Sequence, residues 1–323
     1  MSVQRKPIRS LVFAYVAILA TNIAGGLLVM PIFLQLLINT CACVYIGCLM
    51  ATRLETGEDK KIRNFNKSLN EDEAVIGMSE AKKFPIIASC FLFGIYLLYK
   101  FLPKAVFMGI INVYFSASIV LSTSGLAVEL IPFSESLTAI IFSCKIPSFL
   151  QDLLEAKKFE LSKARIICIA LVAIPVGFYF ATKYWALNNI FGVLFSVVAL
   201  KSLNLSTTKT GLFLLWALFF YDIFWVYGTD VMVTVAKNLD LPIKLVFPYL
   251  NAEETVAYSM VGLGDIVLPG LFISFCLKYD IDQAFKKNKV ISSFKDIELN
   301  YFNLAFVGYF YGIIETFLAM FIF

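Results

Sequence analysis

The sequence predicts an all-α protein, a polytopic bundle of transmembrane helices, and three observations carry that reading. Hydrophobic residues make up 60% of the 323 residues and charged residues only 15%, with a mean hydropathy of +0.82. A soluble domain of this length needs more polar surface to cover its apolar atoms. The apolar residues also fall in stretches close to the ~20 residues with which an α-helix crosses a bilayer, longer than the strands of a membrane barrel. Few charges interrupt these stretches.

Taken in order, residues 11–52 carry no charge and fit two helices broken near Gly25-Gly26 and Pro31. Arg5, Lys6 and Arg9 ahead of the first apolar run also fit a signal peptide, although an uncleaved helix is the preferred reading. Residues 53–83 balance seven basic against seven acidic side chains and read as a solvated linker. Helices are expected over 84–102 and 105–130, the second carrying an interfacial Glu129. A polar stretch over 132–165 follows. Further helices are expected over 166–182, 187–200, 211–228, 256–277 and 301–323, which makes nine apolar segments with a short sixth. Residues 1–83 form an N-terminal membrane region with a linker loop, and 84–323 form the functional core.

With nine segments, basic residues divide unevenly between the two sides of the membrane. Lys100, Lys104, Lys183, Lys237 and Lys244 fall on one side, and the other 22 of the 27 Lys and Arg fall on the side of the N-terminus. Cytosolic loops carry the positive excess, so the N-terminal side is cytosolic. The loop over 229–255 then faces the lumen. The basic 278–295 loop reads as a topology signal, and no nucleic-acid partner is expected.

The chain contains no histidine, which excludes membrane serine proteases with a histidine base and membrane zinc proteases with a His-Glu-x-x-His pair. Of seven cysteines, Cys41, Cys43, Cys48, Cys90, Cys168 and Cys276 lie in apolar runs without Cys-x-x-Cys spacing and read as small buried residues. No metal site and no cofactor are expected.

Two acids remain where only use explains them. Asp222 lies in the apolar run over 212–227, and Asp265 lies at the start of another, in Gly262-Leu263-Gly264-Asp265. A carboxylate near the bilayer centre costs about 2.5–3.5 kcal/mol even on the lenient insertion scale. A single such acid fits a structural hydrogen-bonding group or a transporter's proton site. Two acids brought together cannot both ionise, and a pair sharing one proton has the chemistry of an aspartic protease. Gly262 and Gly264 around Leu263 leave room for the backbone to bend and for an extended substrate to approach. Tyr221 is expected to steady Asp222 or its water, with an interfacial aromatic as the alternative.

With these motifs, the chain resembles the presenilin-type intramembrane aspartyl proteases, and among them the signal peptide peptidases. The resemblance extends to Phe84-Pro-Ile-Ile-Ala-Ser-Cys90, Asn188-Asn-Ile-Phe-Gly192, Tyr221-Asp-Ile-Phe-Trp-Val-Tyr-Gly228, Val231-Met-Val-Thr-Val-Ala-Lys237, Pro242-Ile-Lys-Leu-Val-Phe-Pro248 and Gly262-Leu-Gly-Asp-Ile-Val-Leu-Pro-Gly270. It implies a multi-pass protease of the endoplasmic reticulum membrane with Asp222 and Asp265 as the catalytic pair. Transmembrane signal-peptide helices are the implied substrates, membrane lipid the surround, and a homo-oligomer is allowed. A loop of about 23 residues between Lys278 and Asn300 is too short for presenilin-like autoprocessing, which implies action without dedicated partner subunits.

The family's Pro-Ala-Leu motif has no counterpart, so the chain is expected to be truncated before it, with a proton-coupled transporter or a catalytically silent form as the competing readings. Glu315, an acid within the last apolar segment, is given no role.

Both glycosylation sequons, at Asn66 and Asn204, fall on the cytosolic side. Neither asparagine is expected to be modified in cells. A mass shift on glycosidase treatment assigned to either one reverses the orientation.

Overall fold

The computed structural model describes residues 9–27, 30–52, 74–130, 137, 140–145, 158–229, 231, 241–250, 255–287 and 297–322. Most of the 53–83 linker with the Asn66 sequon, the Val231–Lys237 motif beyond Val231, much of the 132–165 stretch and the centre of the last polar loop lie outside the described residues, as does the side chain of Glu129. Among the described residues there are nine helices, one for each expected apolar segment, and seven of them are long and apolar enough to cross a membrane. The chain is an all-α membrane bundle, as the sequence predicts, supplemented by three two-stranded sheets.

Helices α1 (Arg9–Gly26) and α2 (Ile32–Ala51) are the two halves of the charge-free span. Pro31 caps α2, where its missing N–H removes no helical bond. Helix α3 (Met78–Phe101) starts ahead of the expected residue 84 because the Glu80 carboxylate accepts from the Gly77 N–H at 2.9 Å and caps the first turn. Next come α4 (Lys104–Leu130), α5 (Lys163–Thr182) and α6 (Trp185–Ser202). Ser162 caps α5 through the Arg165 N–H, and Thr207 caps α7 (Thr208–Asp222) through the Thr210 N–H, each at 3.2 Å.

Helices α8 (Gly264–Lys286) and α9 (Asn300–Ile322) complete the bundle. Helix α8 is not among the seven candidate spans and carries Asp265, Lys278, Asp280, Asp282 and Lys286; the apolar part of α1, Leu11–Gly26, is shorter than a full span.

The sheets occupy stretches that the sequence reads as loops, with one exception. Strand β1 (Ala74–Ile76) pairs in parallel with β4 (Leu203–Leu205), and β2 (Ile140–Lys145) pairs antiparallel with β3 (Lys158–Ser162). Strand β5 (Lys244–Leu250) pairs antiparallel with β6 (Val256–Gly262), with Lys244 opposite Gly262 and Val246 opposite Met260. This corrects the helix expected over 256–277: its first residues are a strand and only the rest is helical. Val-Ala-Tyr-Ser-Met-Val alternates small or polar with larger apolar residues, and that period of two is what a strand needs.

Helix α6 is the hub of the packing. Its Val193 and Val197 join Ala14 and Ile18 of α1, Val44 and Ile46 of α2, Leu245 and Phe247 of β5 and Ile266 and Ile273 of α8 in one apolar core. Leu200, near its end, is gripped by glycines on two neighbours. A Cβ on Gly47 of α2 would collide with the Leu200 side chain, and one on Gly270 of α8 would lie 2.9 Å from it. Without lipid-exclusion forces to draw them together, membrane helices gain most from such close approach of small residues.

Helix α9 is held by a buried carboxylate. Asp280, only 4% exposed, accepts from the Tyr301 and Phe302 N–H groups at 3.3 and 2.9 Å and so caps the N-terminus of α9 from the side of α8. Asp280→Ala removes the partner of both donors, of which the Phe302 N–H is buried, at a cost of about 1–3 kcal/mol. A midpoint several degrees lower is expected in thermal unfolding of the detergent-solubilised protein, and an unchanged midpoint refutes the cap.

Candidate active site

Each predicted acid sits where a helix gives way to something else. Asp222 is the last residue of α7, and residues Ile223–Tyr227 continue it as a single π-turn. At the junction the Ile223 N–H is shared between the Phe219 and Phe220 carbonyls. π-Turns of this kind widen the helix and tend to occur at functional sites. The turn is anchored by Trp225, which is buried and donates its indole N–H to Ser89 Oγ of α3 at 2.9 Å, while Ser89 donates to the Pro85 carbonyl at 2.7 Å. Pro85 has no N–H to give to the Ala81 carbonyl, while its own carbonyl is the acceptor for Ser89. Tyr221 is half-buried, with its ring 6.3 Å from that of Trp225, and Asp222 lies within its electrostatic range.

Asp265 reaches the same region from the other side. Strand β6 ends at Gly262, the Leu263 N–H donates to the Ile243 carbonyl at 3.0 Å as a further rung of the hairpin, and Leu263 O then accepts from the Ile266 and Val267 N–H groups at 3.2 and 2.8 Å to open α8. Leu263 is therefore both the last residue of the sheet and the first carbonyl of the helix. Asp265 falls in the first helical turn, directly after this switch. Tyr309 of α9 donates to the Asp265 main-chain carbonyl at 3.2 Å and ties that turn to the last helix.

The two glycines contribute in a way the sequence did not specify. None of the described glycines has a positive φ, so the bend expected at Gly262 and Gly264 is not a left-handed one. What Gly262 provides is proximity: a Cβ there would stand 3.4 Å from Asp265 Oδ2. A Cβ on Gly264 would have Leu268 Cδ1 as its nearest neighbour, at 4.0 Å, which leaves open space beside the acid.

The structure sets Tyr221 next to Asp222 and Gly262 and Gly264 next to Asp265, whereas the Leu263 side chain packs into the core against α6. Helices α7 and α8 pack directly against one another, and Asp222 acts electrostatically on Asp265. Both carboxylates are exposed at the edge of the bundle, on the flank where Phe219, Phe220, Ile223 and Phe224 also face outward. Two carboxyls brought close enough to share one proton can divide the roles of base and acid. Among the described residues no three His, Cys, Asp or Glu side chains gather as a metal site.

Trp225, Ser89 and Tyr309 were missed at the level of sequence. Their partners lie 136 and 44 residues away, and nothing in a single sequence marks such pairs.

The family model described as "Signal peptide peptidase" matches residues 67–323. The signal peptide peptidase of Mus musculus is 35% identical over 302 residues, which cover 90% of this chain and 73% of that protein, and that of Homo sapiens is 34% identical over the same shares. A probable intramembrane protease of Schizosaccharomyces pombe is 31% identical over 280 residues, 87% of this chain and 78% of the relative. No solved structure matches the chain. A match that runs through α3 to α9 and takes in both acids, on a bundle of membrane-spanning helices, places this chain in the signal peptide peptidase family of multi-pass intramembrane aspartyl proteases.

Proposed function

We propose that Asp222 and Asp265 are the catalytic pair of this protease, and that it cuts remnant signal peptides and other type II transmembrane helices within the membrane of the endoplasmic reticulum. The observation that carries this reading is that α7 and α8 pack directly against one another, with Asp222 the last residue of one and Asp265 in the first turn of the other. The names of the mammalian relatives support the substrate class.

The chemistry follows from the shared proton. The ionised carboxyl takes a proton from water as the water oxygen attacks the peptide carbonyl carbon. The protonated carboxyl hydrogen-bonds the carbonyl oxygen and transfers its proton as the tetrahedral intermediate forms. Collapse of that intermediate breaks the C–N bond: the protonated carboxyl gives its proton to the leaving nitrogen while the ionised one takes a proton from a hydroxyl of the intermediate, so the pair ends with the single proton it began with. A helical substrate hides its amides in its own hydrogen bonds and must be extended first.

Strand β6 offers the place for it. It pairs with β5 on one edge, and among the described residues no strand pairs with the other, so a substrate laid there in extended form exchanges its helical bonds for strand bonds beside Gly262 and Gly264. Tyr221 borders the water that Asp222 would hold.

Purified full-length enzyme in a bilayer is expected to cut a synthetic type II signal-peptide helix. Asp222→Asn and Asp265→Asn, which keep shape but remove the shared proton, are each expected to lower turnover by at least about 100-fold. Photolabelling by an isostere with a hydroxyl in place of the scissile amide is expected to fall in parallel. Undiminished cutting by either variant refutes the dyad.

A further inference from the structure

The hairpin that leads into Asp265 has an edge that, among the described residues, no strand covers, yet its polar groups are not left open. In an antiparallel pair, alternate residues turn their N–H and C=O toward the partner strand and away from it. Ile243 accepts from the Leu263 N–H, so Ile243, Leu245 and Phe247 turn toward β6, while Lys244 and Val246 turn outward. The outward groups meet two consecutive carboxamides of α6. Asn188 Nδ2 donates to the Lys244 carbonyl at 2.6 Å. Asn189 Nδ2 donates to the Val246 carbonyl at 2.8 Å, and Asn189 Oδ1 accepts from the Val246 N–H at 2.7 Å. A carboxamide has the donor and acceptor of a peptide group, so Asn189 stands in for one residue of a third strand.

This surrogate is itself held in place. Asn189 is 1% exposed, and its Nδ2 also donates to Asn22 Oδ1 of α1 at 3.1 Å. Asn22 donates to Asn39 Oδ1 of α2 at 3.2 Å, and Asn39 donates to Thr21 Oγ1 at 2.9 Å and to the Gln35 carbonyl at 2.7 Å. Asn188 Oδ1 accepts from Tyr179 of α5 at 2.9 Å. One turn further along α6, Gly192 lets the helix lie against the hairpin: a Cβ there would stand 2.8 Å from Leu245 Cδ2 and 3.4 Å from Leu263 Cδ2.

The network therefore addresses the backbone between Lys244 and Leu263. A strand whose edge bonds are unspecified can slip, and a slip of two residues moves it by about 7 Å. Such a slip carries Leu263, and with it the turn that presents Asp265.

We propose that Asn189 is a positioning residue of the hydrolytic reaction. Its carboxamide sets the register of β5, the Ile243–Leu263 rung passes that register to Asp265, and Asn22 of α1 fixes the carboxamide. The role rests on the assignment of Asp222 and Asp265 as the catalytic pair, and it makes α1 a contributor to catalysis from outside the segment that the family model matches.

The test uses full-length enzyme in a bilayer, with active sites counted by saturating amounts of the hydroxyl isostere and turnover expressed per active site. Asn189→Leu, which keeps the volume and removes donor and acceptor, is expected to lose about 10-fold or more in kcat per site while KM for a signal-peptide helix stays within about twofold. The isostere is expected to bind more weakly by a factor similar to the loss in kcat. Asn189→Asp keeps the acceptor for the Val246 N–H and is expected to recover part of the loss. Asn22→Leu is expected to lower kcat per site by about threefold, and the double variant to be no worse than Asn189→Leu, because the two side chains act in series.

Full turnover per site with fewer countable sites overturns the proposal, since it leaves Asn189 a role in folding alone; additive losses overturn the part played by Asn22. If Asn189→Leu fails to fold, Gly192→Ala decides, since it keeps every hydrogen-bonding group and pushes α6 off the hairpin, and it is expected to show the same kcat loss at constant KM. Wild-type enzyme that neither cuts nor takes the isostere refutes the dyad instead and is distinguished by that.

Discussion

Backbone polar groups surrounded by hydrocarbon must find partners within the protein, and a two-stranded hairpin among membrane helices leaves one strand edge on each side to be answered. Asn188 and Asn189 answer the edge of β5 from α6. Much of the architecture follows from that contact. For the carboxamides to reach the strand, α6 has to lie close, which Gly192 permits and which seats Leu245 and Phe247, both fully buried, in the central core. At its other end α6 is locked between α2 and α8 by Leu200 against Gly47 and Gly270. One helix therefore references the hairpin, the first two helices and the helix of Asp265 to a common frame.

Within that frame the two acids are delivered by different means. Asp265 is placed by a rigid route, through the rung from Leu263 to Ile243 and the tie from Tyr309 to its own carbonyl. Asp222 is placed by a softer one. Its helix continues as a π-turn, whose anchor is a single indole bond from Trp225 to Ser89. The π-turn breaks the regular helical ladder directly after Asp222, a kind of interruption that recurs at functional sites.

What could be read from the sequence was whatever the bilayer makes expensive. The apolar runs, the one-sided distribution of Lys and Arg and the two acids at Asp222 and Asp265 all oppose a large cost, and each leaves a mark in a single stretch of chain. Val256–Gly262 was misread because its alternation is short and runs without a break into the apolar start of α8, so that period two and helical length competed over the same residues. Met78 rather than residue 84 begins α3 because a cap from Glu80 outweighs the polarity of the first turn. The π-turn, the Trp225–Ser89 bond and the reach of Asn189 to Val246 across 57 residues depend on tertiary neighbours, and no local pattern encodes them.

The irregular backbone is also where the chemistry has to be. A helix offers neither a free N–H nor a free carbonyl to an extended peptide, so a protease built only from helices could bring two acids together and still have nothing to hold the strand being cut. Here the departures from helix flank the acids, a π-turn after Asp222 and the β5–β6 hairpin before Asp265, and each is stabilised from behind by a side chain whose partner is backbone or hydroxyl rather than charge. Neutral partners matter in this position. A Lys or Arg serving as anchor would pair with the nearer carboxylate and fix its charge, and the pair would no longer pass one proton back and forth. Amide, indole and hydroxyl groups hold the geometry without setting a fixed charge beside the two acids.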